Sequence, residues 1–313
     1  MKLSLVTPIY NESKNLRPLF SELKKVLDGL EYDYEIIAVN DGSSDDSFEI
    51  LKELSHDSHV KVINFSMNYG QTAALLAGID NAKGDIIVSI DSDLENDAND
   101  IPKMIEKINE GYDVVSGWRR KRWKGKWITR KLPSICANWL ISKITGLKLH
   151  DYGCILKAYK RESISGVKLY GEMHRFIASY ALLSGARITE IEVNYRTRLH
   201  GKSNYGISRI FRVLLDLVVV KFLHKYMDKP MHFFGGIGFL SFFFGIFSGI
   251  SAVILKVFHI KDLVATPLPI FSALLIIVGV QFILMGILAE MLMRIYYESQ
   301  DKKPYRIREK INC

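Results

Sequence analysis

Three cysteines in 313 residues, Cys136, Cys154 and Cys313, are too few and too far apart for a disulfide framework, and they show no zinc-ligand spacing. Reduced thiols of a cytosolic chain are the expectation. Glutamine is scarce too, with only Gln71, Gln281 and Gln300. The most informative shortage is of charge. From Phe233 to Leu255, 23 residues pass without an ionisable side chain, and from Leu263 to Ala289 another 27 do so. Each run is long enough to cross about 30 Å of hydrocarbon at about 1.5 Å per residue, which excludes a purely soluble protein. The 48% hydrophobic content excludes a disordered one.

Met1–Pro8 is apolar but runs straight into Tyr10-Asn11-Glu12, too short for a signal peptide or a span. The first 230 residues are therefore expected to fold in the cytosol, ahead of a membrane hairpin within residues 231–292, its two helices at about 233–255 and 268–289. Lys221, Lys225 and Lys229 precede the first uncharged run, and Arg294, Lys302, Lys303, Arg306, Arg308 and Lys310 follow the second, whereas the connecting loop offers only Lys256 and Lys261. Positive charge stays inside. The expectation is a multi-pass protein of the inner (cytoplasmic) membrane, with residues 293–313 as a cytoplasmic basic tail.

In the first 116 residues short β-rich runs alternate with helical patterns. The strand candidates are 3–7, 34–40, 60–65, 85–90 and 113–116. Leu16, Leu19, Phe20, Leu23, Val26, Leu27 and Leu30 recur at three- and four-residue steps and predict an amphipathic helix, with Asn11 or Ser13 as its cap. Residues 43–54, 71–81 and 100–109 read as further helices. Such alternation implies an α/β fold with a mostly parallel sheet covered on both faces. Ligands then collect at the carboxyl edge of the strands, which selects Pro8–Glu12, Asp41–Ser44, Ser66–Gln71 and Asp91–Glu95.

Beyond residue 116 the pattern changes. Gly117–Lys131 holds eight Lys or Arg residues, no acid, and Trp118, Trp123 and Trp127. Basic sequence interleaved with aromatics can bind nucleic acid, but the nearby apolar runs favour an anionic membrane surface, with tryptophans among the headgroups. Residues 207–227 read as an amphipathic juxtamembrane helix within a 205–230 connector.

Asp91-Ser92-Asp93 follows a hydrophobic strand, with Glu95 two residues on. Alternate side chains of an extended segment face one way, so the three carboxylates are expected to converge, and oxygen-only ligands suit Mg²⁺ or Mn²⁺. A solvated acidic turn or a helix cap is the bland alternative. Asp41 ends the second strand, where a turn and helix cap are expected, and its carboxylate can also accept from a nucleobase or ribose. Tyr10 offers a ring for stacking, and Gly70 lets a helix N-terminus approach an anion.

In order, TPIYNE (7–12), NDGSSDDS (40–47), NYGQTAALLAGID (68–80), GDIIVSIDSDLE (84–95) and HDYGC (150–154) resemble glycosyltransferase family 2. With GEMHRF (171–176), GKSNYG (201–206) and the two apolar runs, the whole chain resembles the polyprenyl-phosphate glycosyltransferases, bacterial relatives of dolichol-phosphate mannosyltransferase. The resemblance implies a Rossmann-like GT-A domain over residues 1–204. It also implies inverting transfer of a sugar from a UDP- or GDP-linked donor to polyprenyl (undecaprenyl) phosphate, for cell-envelope glycan or lipid modification. It assigns Pro8, Tyr10, Glu12, Asp41, Asp91, Ser92, Asp93, Arg119, Arg198 and Lys202 to the donor nucleotide, and Asp91, Asp93 and Glu95 to the metal. Arg130 and Ser134 fall at the acceptor phosphate, and Asp151 matches the proposed catalytic carboxylate. His174-Arg175 reads either as part of the acceptor site or as a structural pair. Two positions depart from the pattern: Glu95 stands where Gln is usual, and Asn204 where Lys is usual, with Lys202 close enough to replace that cation.

The implied partners are the nucleotide-sugar, the polyprenyl phosphate and the bilayer. A homo-oligomer is compatible with the sequence, and nucleic acid is not expected. A processive polysaccharide synthase is a weaker reading, because Arg122-Trp123 has no glutamine three residues before the arginine. A non-catalytic membrane adaptor that binds nucleotide-sugar is the alternative of a different class.

Overall fold

The computed structural model describes residues 1–120, 122, 132–165, 173–183, 185–197, 230–299 and 307–311. The chain forms two compact units, one of residues 1–218 with 303–313, the other of residues 219–302.

The first unit is built on an eight-stranded sheet of the described strands: β1 (Lys2–Ile9), β2 (Asp33–Asn40), β3 (Val60–Phe65), β4 (Ile86–Ser89), β5 (Val114–Trp118), β6 (Lys157–Lys160), β7 (Ile188–Glu192) and β8 (Ile307–Ile311), in the order β7-β5-β6-β4-β1-β2-β3-β8. β1 pairs in parallel with β2 and β4, β2 with β3, and β5 with β7. β6 lies antiparallel between β4 and β5, and β8 lies antiparallel on β3. The sheet is therefore mixed. β1 and β2 are buried almost end to end, as expected of central strands covered on both faces.

The helices α1 (Ser13–Leu27), α2 (Ser47–Leu54), α3 (Gln71–Asn81) and α4 (Ile101–Asn109) follow the strands in turn. α1 buries Leu16, Leu19, Phe20, Leu23 and Leu27, in line with its periodicity, and each such side chain contributes about 1.5–3 kcal/mol. Its cap differs from expectation. Asn11 sits at φ 55° and Ser13 is already helical. The orphan N–H of Ser13 is taken by Asp45 Oδ2 at 3.0 Å, that of Glu12 by Ser47 Oγ at 3.0 Å, and that of Asn11 by Ser43 Oγ at 3.0 Å. The loop after β2 thus caps the helix after β1, and this ties two strand ends together at the carboxyl edge.

Three further elements complete the unit: α5 (Leu132–Thr145), the short α6 (Arg161–Ile164) and α7 (Ile177–Leu183). Within the expected basic tail, Ile307–Ile311 adds a strand to the sheet edge. The expected juxtamembrane helix at 207–227 lies outside the described residues.

The second unit contains two long apolar helices, Pro230–Val257 and Leu268–Ser299, the latter running past the expected boundary at 292. Phe233–Val257 and Leu268–Ala289 are long and apolar enough to span a membrane, with mean hydropathies of 2.1 and 2.6. Phe239, Phe243 and Phe247 remain exposed, which is unlike core helices of a soluble protein. Gly238, Gly245 and Ala252 repeat every seven residues on one helix, and Ser272, Gly279 and Gly286 on the other. A Cβ at Gly238 would come within 2.8 Å of Gly279 O, and Ser272 Oγ donates to Gly245 O at 2.7 Å. Small residues here let the two backbones touch where lipid supplies no hydrophobic drive. The pair is a membrane-associating hairpin.

Candidate active site

β1, β2, β3 and β4 all end at one edge, and each hands over to a polar loop. At the end of β2, Asp41 is 3% exposed and fully engaged: it accepts from Tyr69 N at 2.7 Å, Gly70 N at 2.9 Å and Asn68 Nδ2 at 3.0 Å. Burial pushes its carboxyl upward, against those backbone donors. Gly42, at φ 65°, lets the loop after β3 close over it, since a Cβ there would lie 2.3 Å from Met67 C. Asp41 therefore organises the Ser66–Gly70 loop. Tyr10 beside it is 45% exposed, and Pro8 is linked to the next loop because Ser92 Oγ donates to its carbonyl at 3.0 Å.

Asp91 and Asp93 follow β4. Burial, then the charge of Asp93, pushes the Asp91 carboxyl up to about 7, against the pull of Arg119. Gln71 at the start of α3 donates to Asp91 Oδ1 at 2.7 Å. The extended spacing behind the expected convergence of three carboxylates is interrupted at Leu94. Leu94 is buried at φ 61°, a left-handed conformation that costs a non-glycine residue on the order of 1–3 kcal/mol and breaks the extended alternation. Glu95 instead reaches Arg119 and Arg122, each at 4.0 Å. Among the described residues no three His, Cys, Asp or Glu side chains assemble as metal ligands.

Arg119, just past β5, is 4% exposed and grips Asp151 in a bidentate pair, Nε to Oδ2 at 2.8 Å and Nη2 to Oδ1 at 3.2 Å. Burial raises the Asp151 carboxyl, but Arg119, with Arg122 and Lys157, outweighs it and holds the group at about 2. Glu190 of β7 accepts from His150 N at 3.0 Å and Asp151 N at 3.2 Å, and Trp118 stacks on His150 with centroids 4.2 Å apart. Cys154 is buried, and burial pushes its thiol up to about 11, so it is an inert thiol. Ser134 lies half-buried on α5. Its helix, with Leu149 and His150, borders a largely apolar groove of about 540 Å³ that contains Ile135, Trp139, Lys143 and Lys148.

The structure thus gathers Asp91, Asp93, Glu95, Arg119 and Asp151, with Asp41 fixing the neighbouring loop. Arg130, Arg198 and Lys202 lie outside the described residues. The chain leading to Arg198 is anchored two residues earlier, where Arg196 pairs with Glu22 and Asp97 and its N–H reaches Glu95 O at 2.9 Å. His174 is 3% exposed and bonded to Thr72 Oγ1 at 2.7 Å. Gln71, Arg122, Lys157 and Glu190 were not singled out from sequence; Gln71, inside a motif segment at a helix start, was the most accessible.

A mixed sheet with acidic and basic side chains on one carboxyl edge is the frame of a nucleotide-sugar transferase, and residues 4–167 match the family model "Glycosyl transferase family 2". The chain belongs to that family and is a glycosyltransferase. It is 41% identical to the dodecaprenyl-phosphate galacturonate synthase of Rhizobium johnstonii, over 99% of this chain and 93% of that one. It is 34% identical to the undecaprenyl-phosphate 4-deoxy-4-formamido-L-arabinose transferase of Proteus mirabilis, over 98% and 93%. The fold is shared with glucosyl-3-phosphoglycerate synthase from Mycobacterium tuberculosis, solved with Mn²⁺, UDP-glucose and phosphoglyceric acid. That likeness has a TM-score of 0.53 at 18% identity, over 71% of this chain and 79% of that one. S. aureus TarS 1-349, in complex with UDP-GlcNAc, has a TM-score of 0.52 at 21% identity, over 71% and 67%.

Proposed function

We propose that this chain transfers a sugar from a nucleoside diphosphate sugar to the phosphate of a polyprenyl phosphate, with inversion, at the cytoplasmic face of a membrane. The observation that carries the reading is the pairing of ionised Asp151 with Arg119 beside Asp91 and Asp93. An acceptor phosphate oxygen attacks C1 of the sugar, the bond from C1 to the diphosphate oxygen breaks, and nucleoside diphosphate leaves. A phosphate monoester with a second pKa of about 6 is already largely ionised at neutral pH, so the acceptor requires little proton removal. Asp151, at about 2, is a poor base. It holds Arg119 in position for the diphosphate, while Asp41 and the loop it closes receive the nucleoside. Arg130, Arg198 and Lys202 supply further cations toward the two phosphates.

The donor chemistry fits a divalent ion: two neighbouring carboxylates are hard oxygen ligands, and burial with the charge of Asp93 pushes the Asp91 carboxyl up to about 7 despite Arg119. Asp91 and Asp93 would hold Mg²⁺ or Mn²⁺, with water and diphosphate oxygens completing the shell. When bound, the ion neutralises charge that develops on the leaving group. Glu95, turned to Arg119 and Arg122, is left out of that set. The apolar groove beside Asp151, flanked by Lys143 and Lys148, suits an isoprenoid chain or the bilayer that carries it.

The activities of the relatives, a galacturonate synthase and a formamido-arabinose transferase, favour a uronic acid or a modified pentose over common hexoses. A screen of UDP-galacturonate, UDP-glucose, UDP-GlcNAc, UDP-linked formamido-arabinose and GDP-mannose against undecaprenyl phosphate tests this. Transfer from one of the first or fourth donors is expected, and transfer only from GDP-mannose would contradict it.

The segments before and after the hairpin belong to one unit, since residues 1–218 and 303–313 cluster together and β8 pairs with β3. That supports a cytoplasmic position for both. Cysteine labelling of intact cells should leave positions 59 and 302 protected and label position 260, and labelling at 302 would overturn the topology.

A further inference from the structure

Lys157 begins β6 and is 1% exposed. Its register neighbours are Ser89, two residues before Asp91, and Ser116, three before Arg119. It therefore lies beneath the floor from which both site loops depart. Among the described residues its Nζ has one hydrogen-bond acceptor, the carbonyl of Cys154. A buried ammonium with a single acceptor is costly to keep, and a carbonyl alone does not require a cation.

The surroundings supply the reason. Cys154, Ile155 and Leu156 lead from the Asp151 turn into β6, and their carbonyls are satisfied from three different directions. Ser89 Oγ takes Ile155 O at 2.6 Å, Gly117 N takes Leu156 O at 3.0 Å, and Lys157 takes the carbonyl nearest to Asp151. The turn itself closes when Gly153 N donates to Asp151 Oδ1 at 3.1 Å, the same oxygen that Arg119 Nη2 reaches. Burial pushes the Lys157 ammonium below its ordinary value, while Asp151 and Asp91 pull it back. Among the described residues the ammonium thus meets the backbone of the segment that follows Asp151, not a surface partner.

We propose that Lys157 is a positioning residue, whose buried ammonium, acting through the Cys154 carbonyl, stakes the Asp151–Leu156 segment so that Asp151 meets Arg119 in the bidentate geometry needed for transfer. The proposal rests on the role given to the Asp151–Arg119 pair above.

The test is a double-mutant cycle on the full chain in detergent, with undecaprenyl phosphate and the donor chosen by the screen. Lys157→Met should lower kcat about 10–100-fold, the scale of a misplacement near 1 Å, with donor KM moved less than about threefold. Lys157→Arg, which keeps the charge and donor, should recover most of that loss. Combined with Asp151→Asn, Lys157→Met should add almost nothing, because the two act as a unit. Additive losses, or a Lys157→Met effect confined to thermal stability with kcat intact, would overturn the proposal alone. A silent Asp151→Asn would instead sink the catalytic reading and this inference with it. If Lys157→Met does not accumulate folded, Lys157→Gln, whose amide is one bond too short for the Cys154 carbonyl, takes its place in the same cycle.

Discussion

Asp151→Asn is expected to lower kcat by about 10²–10³-fold, the scale for removing one preorganised electrostatic group, with little change in nucleotide affinity. The loss comes through Arg119, whose bidentate partner disappears while Glu95 stays 4.0 Å away. The pH dependence separates this role from general-base catalysis. Asp151 is held at about 2 against an ordinary value of 3.8. Its folded pKa is lowered, so the stability it contributes is present above 3.8 and is lost only as pH falls toward about 2. Between pH 6 and 8 the Asp151→Asn variant should therefore show a uniform drop in Tm and a kcat–pH profile parallel to that of the parent. A limb that vanishes from the profile would assign Asp151 a proton-transfer role.

The second large effect concerns the cation. Asp93→Ala should reduce turnover by at least about 10²-fold and abolish thermal stabilisation by Mn²⁺ with UDP. The parent should show stabilisation that grows with pH. Asp91 is raised from 3.8 to about 7, so the folded chain without metal prefers it protonated, and that chain loses stability as pH rises through this window. A divalent ion must displace the proton, and its binding weakens below about pH 7. The Tm increment from Mn²⁺ and UDP, measured at pH 6, 7 and 8, should rise along the series in the parent and stay flat in Asp91→Asn. An equal increment at all three pH values would contradict the assignment of Asp91 to the metal.

Much of this architecture was legible because its signals are local. β1 to β5 are runs of Val, Ile and Leu, and α1 repeats its leucines at helical spacing, so element type followed from pattern. The elements that escaped are those whose environment is not local. Lys157–Lys160 reads as polar, yet Lys157, Ala158 and Tyr159 are buried between β4 and β5. Ile307–Ile311 carries three charges in five residues, and only the free edge of β3 makes it a strand. At the candidate site, Asp91 and Asp93 were picked out because they follow a hydrophobic strand, and Arg119 and Asp151 through the family resemblance alone. The approach of Glu95 to Arg119 and Arg122 was not, because it follows a left-handed backbone at Leu94. Glu190, which holds the His150-Asp151 backbone from β7, offers no sequence signal, since its partner lies 40 residues away.

The central claim is that the sugar alone, without its phosphate, passes to the lipid phosphate. The direct measurement is the identity of both products after incubating the purified full chain with donor, Mn²⁺ and undecaprenyl phosphate. Mass spectrometry should find the lipid heavier by one glycosyl unit, with a single phosphate, and chromatography should find one nucleoside diphosphate released per lipid modified. Release of nucleoside monophosphate with a lipid diphosphate sugar, or donor hydrolysis with no modified lipid, would contradict the account.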